Sequence, residues 1–132
     1  MIECLIMGDS IAVGIGTYRS DCVVEAKVGI NSQNYVNGLY RHFQVIDANK
    51  TIISLGSNDI GMDSYGPMLA LRELIQEEVI WILSANNEES RYAALKIATQ
   101  YGDTVIDTLA YPMGKDKVHP TTKGYKMIAE NF

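Results

Sequence analysis

The sequence predicts an α/β fold, a flavodoxin-like three-layer α/β/α sandwich with a five-stranded parallel sheet in the order 2-1-3-4-5. Three observations predict it. Apolar strand-like runs alternate with segments of helical periodicity along the whole chain, the pattern of successive βαβ units. Two of the runs, Thr51-Ile52-Ile53-Ser54-Leu55 and Val79-Ile80-Trp81-Ile82-Leu83, read as strands covered on both faces. No repeat, linker or low-complexity tract interrupts the 132 residues, a length that suits one domain spanning 1–132. Right-handed crossovers then restrict the topology.

The elements follow in order. Ile2 to Met7 is a buried first strand. Gly8 permits a sharp turn, Asp9 supports it through local hydrogen bonds, and Ser10 stands near the start of a short helix through Ile11-Ala12-Val13-Gly14. Val23 to Val28 is a shorter second strand, stopped by Gly29. Asn31 or Ser32 can cap the next helix, whose face Val36, Leu39, Tyr40 and Phe43 has the i, i+3, i+4, i+7 spacing. His42 reads as a surface or last-turn histidine.

The third strand ends at Gly56-Ser57-Asn58-Asp59, where Asp59 caps or braces its loop. A loop from Ile60 to Gly66 leads to Pro67 at a first helical position, with Met68, Leu71 and Ile75 as the buried stripe. After the strand at 79–83, Glu88 and Glu89 suit a helix first turn, Ala94, Ile97, Ala98 and Tyr101 its inner face, and Gly102 its end. Thr104 to Leu109 is the last strand. A loop from Ala110 to Val118 precedes His119-Pro120-Thr121-Thr122, which opens a final helix with Tyr125, Ile128, Ala129 and Phe132 inward.

Composition narrows the function. A net charge of −5 leaves no basic footprint for nucleic acid, since Lys115, Lys117 and Lys123 are interrupted by Asp116. No apolar run approaches the roughly 20 residues of a membrane helix, and Met1 leads straight into strand-like sequence without a signal peptide. The chain is therefore expected in the cytoplasm, alone or within a larger assembly. Cys4 and Cys22 fall on two strands and are expected to stay reduced there. No Cys/His metal spacing occurs, and no cofactor is implied.

In an open α/β sheet, ligands bind outside the carboxyl ends of the strands. Four segments fall on that rim: Gly8-Asp9-Ser10, Gly29, Gly56-Ser57-Asn58-Asp59 and Asp116-Lys117-Val118-His119. Each residue also has a bland role. Ser10 can cap a helix, Gly29 can end a strand, Asn58 and Asp116 can form turns, and His119 can simply precede Pro120. Together they supply an acyl-transfer site, with Ser10 as nucleophile, His119 as base and Asp116 orienting the imidazole. Asn58 and the backbone N–H groups of Gly29 and Ser10 would stabilise an oxyanion. Met62, Tyr65 and Met113 can wall an acyl pocket or pack against the sandwich. Two rivals use the same residues. One gathers Asp9, Asp59 and Asp116 around Mg²⁺ for phosphoryl chemistry. The other is a binding or structural module on an esterase scaffold.

These blocks, Gly8-Asp9-Ser10-Ile11, Gly29, Gly56-Ser57-Asn58-Asp59 and Asp116-Lys117-Val118-His119-Pro120, resemble the ordered motifs of the SGNH, or GDSL-type, hydrolases. Thr121-Thr122-Lys123-Gly124-Tyr125 resembles the family's continuation into its last helix. The resemblance implies metal-free hydrolysis of carboxylic esters, with Ser10, Gly29, Asn58 and His119 as the four residues of the family's name. The chain is shorter than most members, which implies an open site, a small acyl group and a small-molecule or carbohydrate ester as substrate.

Overall fold

The computed structural model describes residues 2–39 and 48–132. Its sheet has five parallel strands in the order β2-β1-β3-β4-β5, as the alternation predicts. They are β1 (Ile2–Gly8), β2 (Cys22–Ala26), β3 (Ala48–Ser54), β4 (Glu78–Leu83) and β5 (Thr104–Asp107). The helices are α1 (Ser10–Gly16), α2 (Ser32–Asn34, continued by a π-helical turn over Tyr35–Leu39), α3 (Tyr65–Glu73), α4 (Glu88–Tyr101) and α5 (Thr122–Ala129).

Period-two alternation sorts the strand residues between two cores. Leu5 and Met7 of β1, Ile53 of β3 and Trp81 and Leu83 of β4 face one side, packed with Tyr35, Met68, Leu71, Ala94 and Ile97. Cys4, Ile6, Ile52, Ile80, Ile82 and Ile106 face the other, packed with Ile11, Ile15 and Ile128. Thus α1 and α5 cover one face and α2, α3 and α4 the other. The two central runs are apolar throughout because both faces of β3 and β4 are covered.

Several elements differ in detail from the sequence reading. β2 runs from Cys22 to Ala26, and the chain from Lys27 onward turns toward Gly29. The second helix buries Tyr35 completely, and its hydroxyl donates to the Glu25 carbonyl at 2.7 Å. Tyr40, His42 and Phe43 lie outside the described residues. α3 starts at Tyr65, so Pro67 sits in its first turn rather than at its first position, and Ile75 packs just beyond its end. β5 stops at Asp107, whose side chain turns to accept the Leu109 N–H and pairs with Arg91 at 2.7 Å. α5 is capped by Thr121 and starts at Thr122. Pro120 instead bridges back to Met113.

The expectation that Cys4 and Cys22 stay reduced is corrected. The two are direct register partners on adjacent strands, with Cα atoms 4.6 Å apart, and a disulfide joins them. Disulfides persist chiefly in oxidising compartments. The cytoplasmic expectation therefore loses the support it drew from reduced cysteines. Among the described residues, no helix is long and apolar enough to cross a membrane.

Candidate active site

The carboxyl ends of β1 and β3 meet beneath one loop cluster. Gly8 ends β1 with φ +142°, and a Cβ there would lie 1.8 Å from the Ser54 carbonyl oxygen of β3. Only glycine lets the two strands approach this closely. The Asp9 N–H donates to that same carbonyl at 3.0 Å. Asp9, not Ser10, caps α1: one carboxylate oxygen accepts the Ile11 N–H at 3.1 Å. The Ser10 hydroxyl is thereby released from capping and stands at the rim, partly exposed.

That hydroxyl meets an imidazole from the far end of the chain. Ser10 Oγ lies 2.8 Å from His119 Nε2, and His119 Nδ1 lies 2.7 Å from Asp116 Oδ2. The other Asp116 oxygen accepts the backbone N–H groups of Val118 at 2.9 Å and His119 at 3.0 Å. This tight turn forces Lys117 into the left-handed region at φ 58°. The loop is pinned on both sides, by Gly114 N–H to the His119 carbonyl at 2.8 Å and Thr121 N–H to the Pro112 carbonyl at 3.0 Å. Gly124 of α5 permits that packing, since a Cβ there would lie 2.2 Å from the Pro112 oxygen.

Electrostatics follow from these contacts. The hydrogen bond from His119, helped by the two backbone bonds, holds the Asp116 carboxyl well below the usual carboxylate range. Burial pushes the Asp9 carboxyl up, against the hydrogen bonds from Ser57 and Ile11 that oppose the shift. Tyr125 packs its ring over Gly14, and its phenol is pushed up to about 12, first by burial and then by Asp9 and Asp116. It stays protonated near neutral pH.

Gly29 and Asn58 sit on the two neighbouring loops. Gly29 has φ +81° and is exposed, with open space where a Cβ would project. The exposed Asn58 donates one amide N–H to the Ile30 carbonyl at 3.0 Å, which leaves a second N–H for a ligand. Of the flanking loop residues, Met62 is exposed and Met113 half-buried, whereas Tyr65 belongs to α3 and bonds Gln100 of α4 at 3.2 Å.

The Mg²⁺ rival meets three carboxylates already engaged. Asp9 accepts from Ile11 and Ser57, Asp59 from Ser32 and Ser64, and Asp116 from the turn and His119. Among the described residues, the one cluster with ligand-like spacing is Cys4, Asp21 and Cys22, and both its sulfurs are in the disulfide. Sequence reasoning missed Ser57, Ser32 and Ser64 as partners of the buried aspartates. Ser32 and Asp59 lie 27 positions apart, so no local pattern announces the pair.

No protein-family model matches the chain, and no curated protein matches it. Solved structures share its fold. A GDSL-like lipase from Bacteroides thetaiotaomicron is 16% identical with a TM-score of 0.73, over 98% of this chain and 84% of that one. A carbohydrate acetylesterase family member from Sinorhizobium meliloti is 14% identical with a TM-score of 0.66, over 97% and 94%. An acetyl xylan esterase from Geobacillus stearothermophilus is 17% identical with a TM-score of 0.65, over 96% and 90%. The chain thus has the fold of the SGNH, or GDSL-type, hydrolases.

Proposed function

We propose that the protein is a serine esterase acting on small carboxylic esters through an acyl-enzyme. The observation that carries this reading is the unbroken series Ser10 Oγ, His119 Nε2, His119 Nδ1, Asp116 Oδ2, with both links under 3 Å at 2.8 and 2.7 Å. A hydroxyl poised on an imidazole that is itself oriented by a carboxylate is the arrangement that activates serine.

Ser10 Oγ attacks the ester carbonyl carbon while His119 Nε2 takes its proton. Asp116 keeps the imidazole proton on Nδ1 and stabilises the imidazolium that forms. The Ser10 and Gly29 N–H groups and the free Asn58 N–H donate to the tetrahedral oxyanion. His119 then protonates the departing alcohol. Water, deprotonated by the same imidazole, attacks the acyl-serine, and the carboxylic acid leaves as Ser10 recovers its proton. Ser10 and His119 are only partly buried, and Gly29 and Asn58 are exposed. An open rim of this kind suits a short acyl group, such as acetyl, on a small or carbohydrate alcohol. The esterases and acetylesterases among the structural neighbours support the same chemistry.

The experiment is hydrolysis of p-nitrophenyl acetate by wild type and Ser10→Ala, with fluorophosphonate labelling beside it. The variant should lose on the order of 10³-fold or more in kcat, as triad deletions do, and should not label. A wild type whose Ser10 stays unlabelled while the protein is folded would instead identify a binding module on an esterase scaffold.

A further inference from the structure

Gly29 sits in a turn closed by the Ile30 N–H to the Lys27 carbonyl at 3.3 Å, and no side chain packs on its outer face. It is exposed, no atom lies within 4 Å of where its Cβ would be, and the preceding Val28 is 69% exposed. Its position must come from anchors on either side. Upstream, the Lys27 N–H extends the β1 ladder by donating to the Gly8 carbonyl at 2.9 Å. Downstream stands Ser32, fully buried, which gives both of its donors to one carboxylate. Its backbone N–H meets Asp59 Oδ1 at 2.8 Å and its hydroxyl meets Asp59 Oδ2 at 2.6 Å.

Asp59 follows Asn58 directly and is itself 1% exposed. The Ser64 hydroxyl donates to the same Oδ2 at 2.7 Å. Among the described residues, no cation pairs with it. A buried carboxylate with only hydroxyl and amide partners is costly to keep. Its contacts carry a geometric consequence: one side chain clamps the loop bearing Gly29 to the loop bearing Asn58. The Asn58 to Ile30 bond lies inside this clamp, at 3.0 Å.

Resting on the esterase reading above, the geometry points to Asp59 as a positioning residue that, through Ser32, sets the separation of the two proposed oxyanion donors. It touches no substrate. Its bond to Ser64 stays within its own loop and the start of α3, so of Asp59's contacts only those to Ser32 reach the Gly29 loop, beside the direct Asn58 to Ile30 bond.

The test compares Ser32→Ala and Ser64→Ala, each of which removes one hydroxyl from Asp59. Hydrolysis of p-nitrophenyl acetate is measured alongside urea denaturation. Ser32→Ala should lower kcat on the order of tenfold with KM within about twofold, as expected when a transition-state donor is misplaced. Ser64→Ala should lose comparable stability yet keep kcat within about twofold of wild type. In an Asn58→Ala background, the Ser32→Ala effect should shrink to about threefold or less, because one of the two aligned donors is gone. If Ser32→Ala does not fold, Asp59→Asn weakens both hydroxyl contacts and, read against Ser64→Ala, should show the same kcat loss.

Unchanged kcat in folded Ser32→Ala, an equal loss in Ser64→Ala, or full additivity with Asn58→Ala would each overturn the clamp. Those results leave the esterase reading intact, provided hydrolysis depends on Ser10. A wild type without Ser10-dependent hydrolysis would overturn both.

Discussion

Exchanging Asp116 for Asn asks whether the carboxylate selects the imidazole tautomer. An asparagine fits the same space and keeps one oxygen for the Val118 and His119 N–H groups, now bonded at 2.9 and 3.0 Å. The left-handed turn at Lys117 should therefore survive. The amide nitrogen then faces His119 Nδ1, where the carboxylate stood at 2.7 Å, and it can only donate. The ring proton is driven to Nε2, which points at Ser10 Oγ from 2.8 Å and can no longer accept from it. In a buried triad this exchange lowers kcat about 10⁴-fold. Here the His119 and Asp116 side chains are 41% and 53% exposed, so water competes for Nδ1 and screens the pair. The expected loss is on the order of 10²–10³ in kcat, with KM changed by less than about twofold.

The assay is steady-state p-nitrophenyl acetate hydrolysis on protein whose circular dichroism matches wild type. The wild-type acid limb should carry one group. Asp116 is held well below its usual range and stays ionised, so it adds no second group to that limb. A kcat for Asp116→Asn within about threefold of wild type, or a loss confined to KM, would refute the tautomer argument.

Three other outcomes are expected. Asn58→Ala should cost roughly 10²–10³ in kcat, the range for removing one oxyanion donor; a change in KM alone would contradict that role. Gly8→Ala should destabilise by about 2–4 kcal/mol, combining roughly 1–3 for the strained backbone with about 1 for the Asp9 to Ser54 bond it displaces. An unchanged urea midpoint would contradict the close approach seen at Ser54. Asp9→Asn keeps an oxygen for Ile11 and can donate to Ser57. The wild-type carboxyl is raised by burial above its ordinary 3.8, so its contribution is fully present below that value and lost as pH rises through the folded value. The variant's stability relative to wild type should therefore grow as pH rises above about 4, and a constant difference in midpoint would refute the burial argument.

Much of this was legible in the chain itself because the signals are local. Apolar runs marked β1, β3 and β4, since a strand covered on two faces must be apolar along its length. Gly8, Gly56 and Gly102 stand where positive φ is required. The three-residue spacing of Asp116 and His119 let one turn of backbone bring carboxylate to imidazole. Strand order placed Ser10 and His119 on one rim, although 109 positions separate them.

Tertiary structure alone decided what depends on burial and register. That Cys4 faces Cys22 follows from the parallel register of β1 and β2. Ser32, rather than serving as a cap, turns to Asp59 because a buried carboxylate must find donors wherever the fold presents them. Ser10 is left free because Asp9 takes the cap. A sequence states which side chains can donate or accept, whereas only the packed chain determines which partners are within reach once water has been excluded.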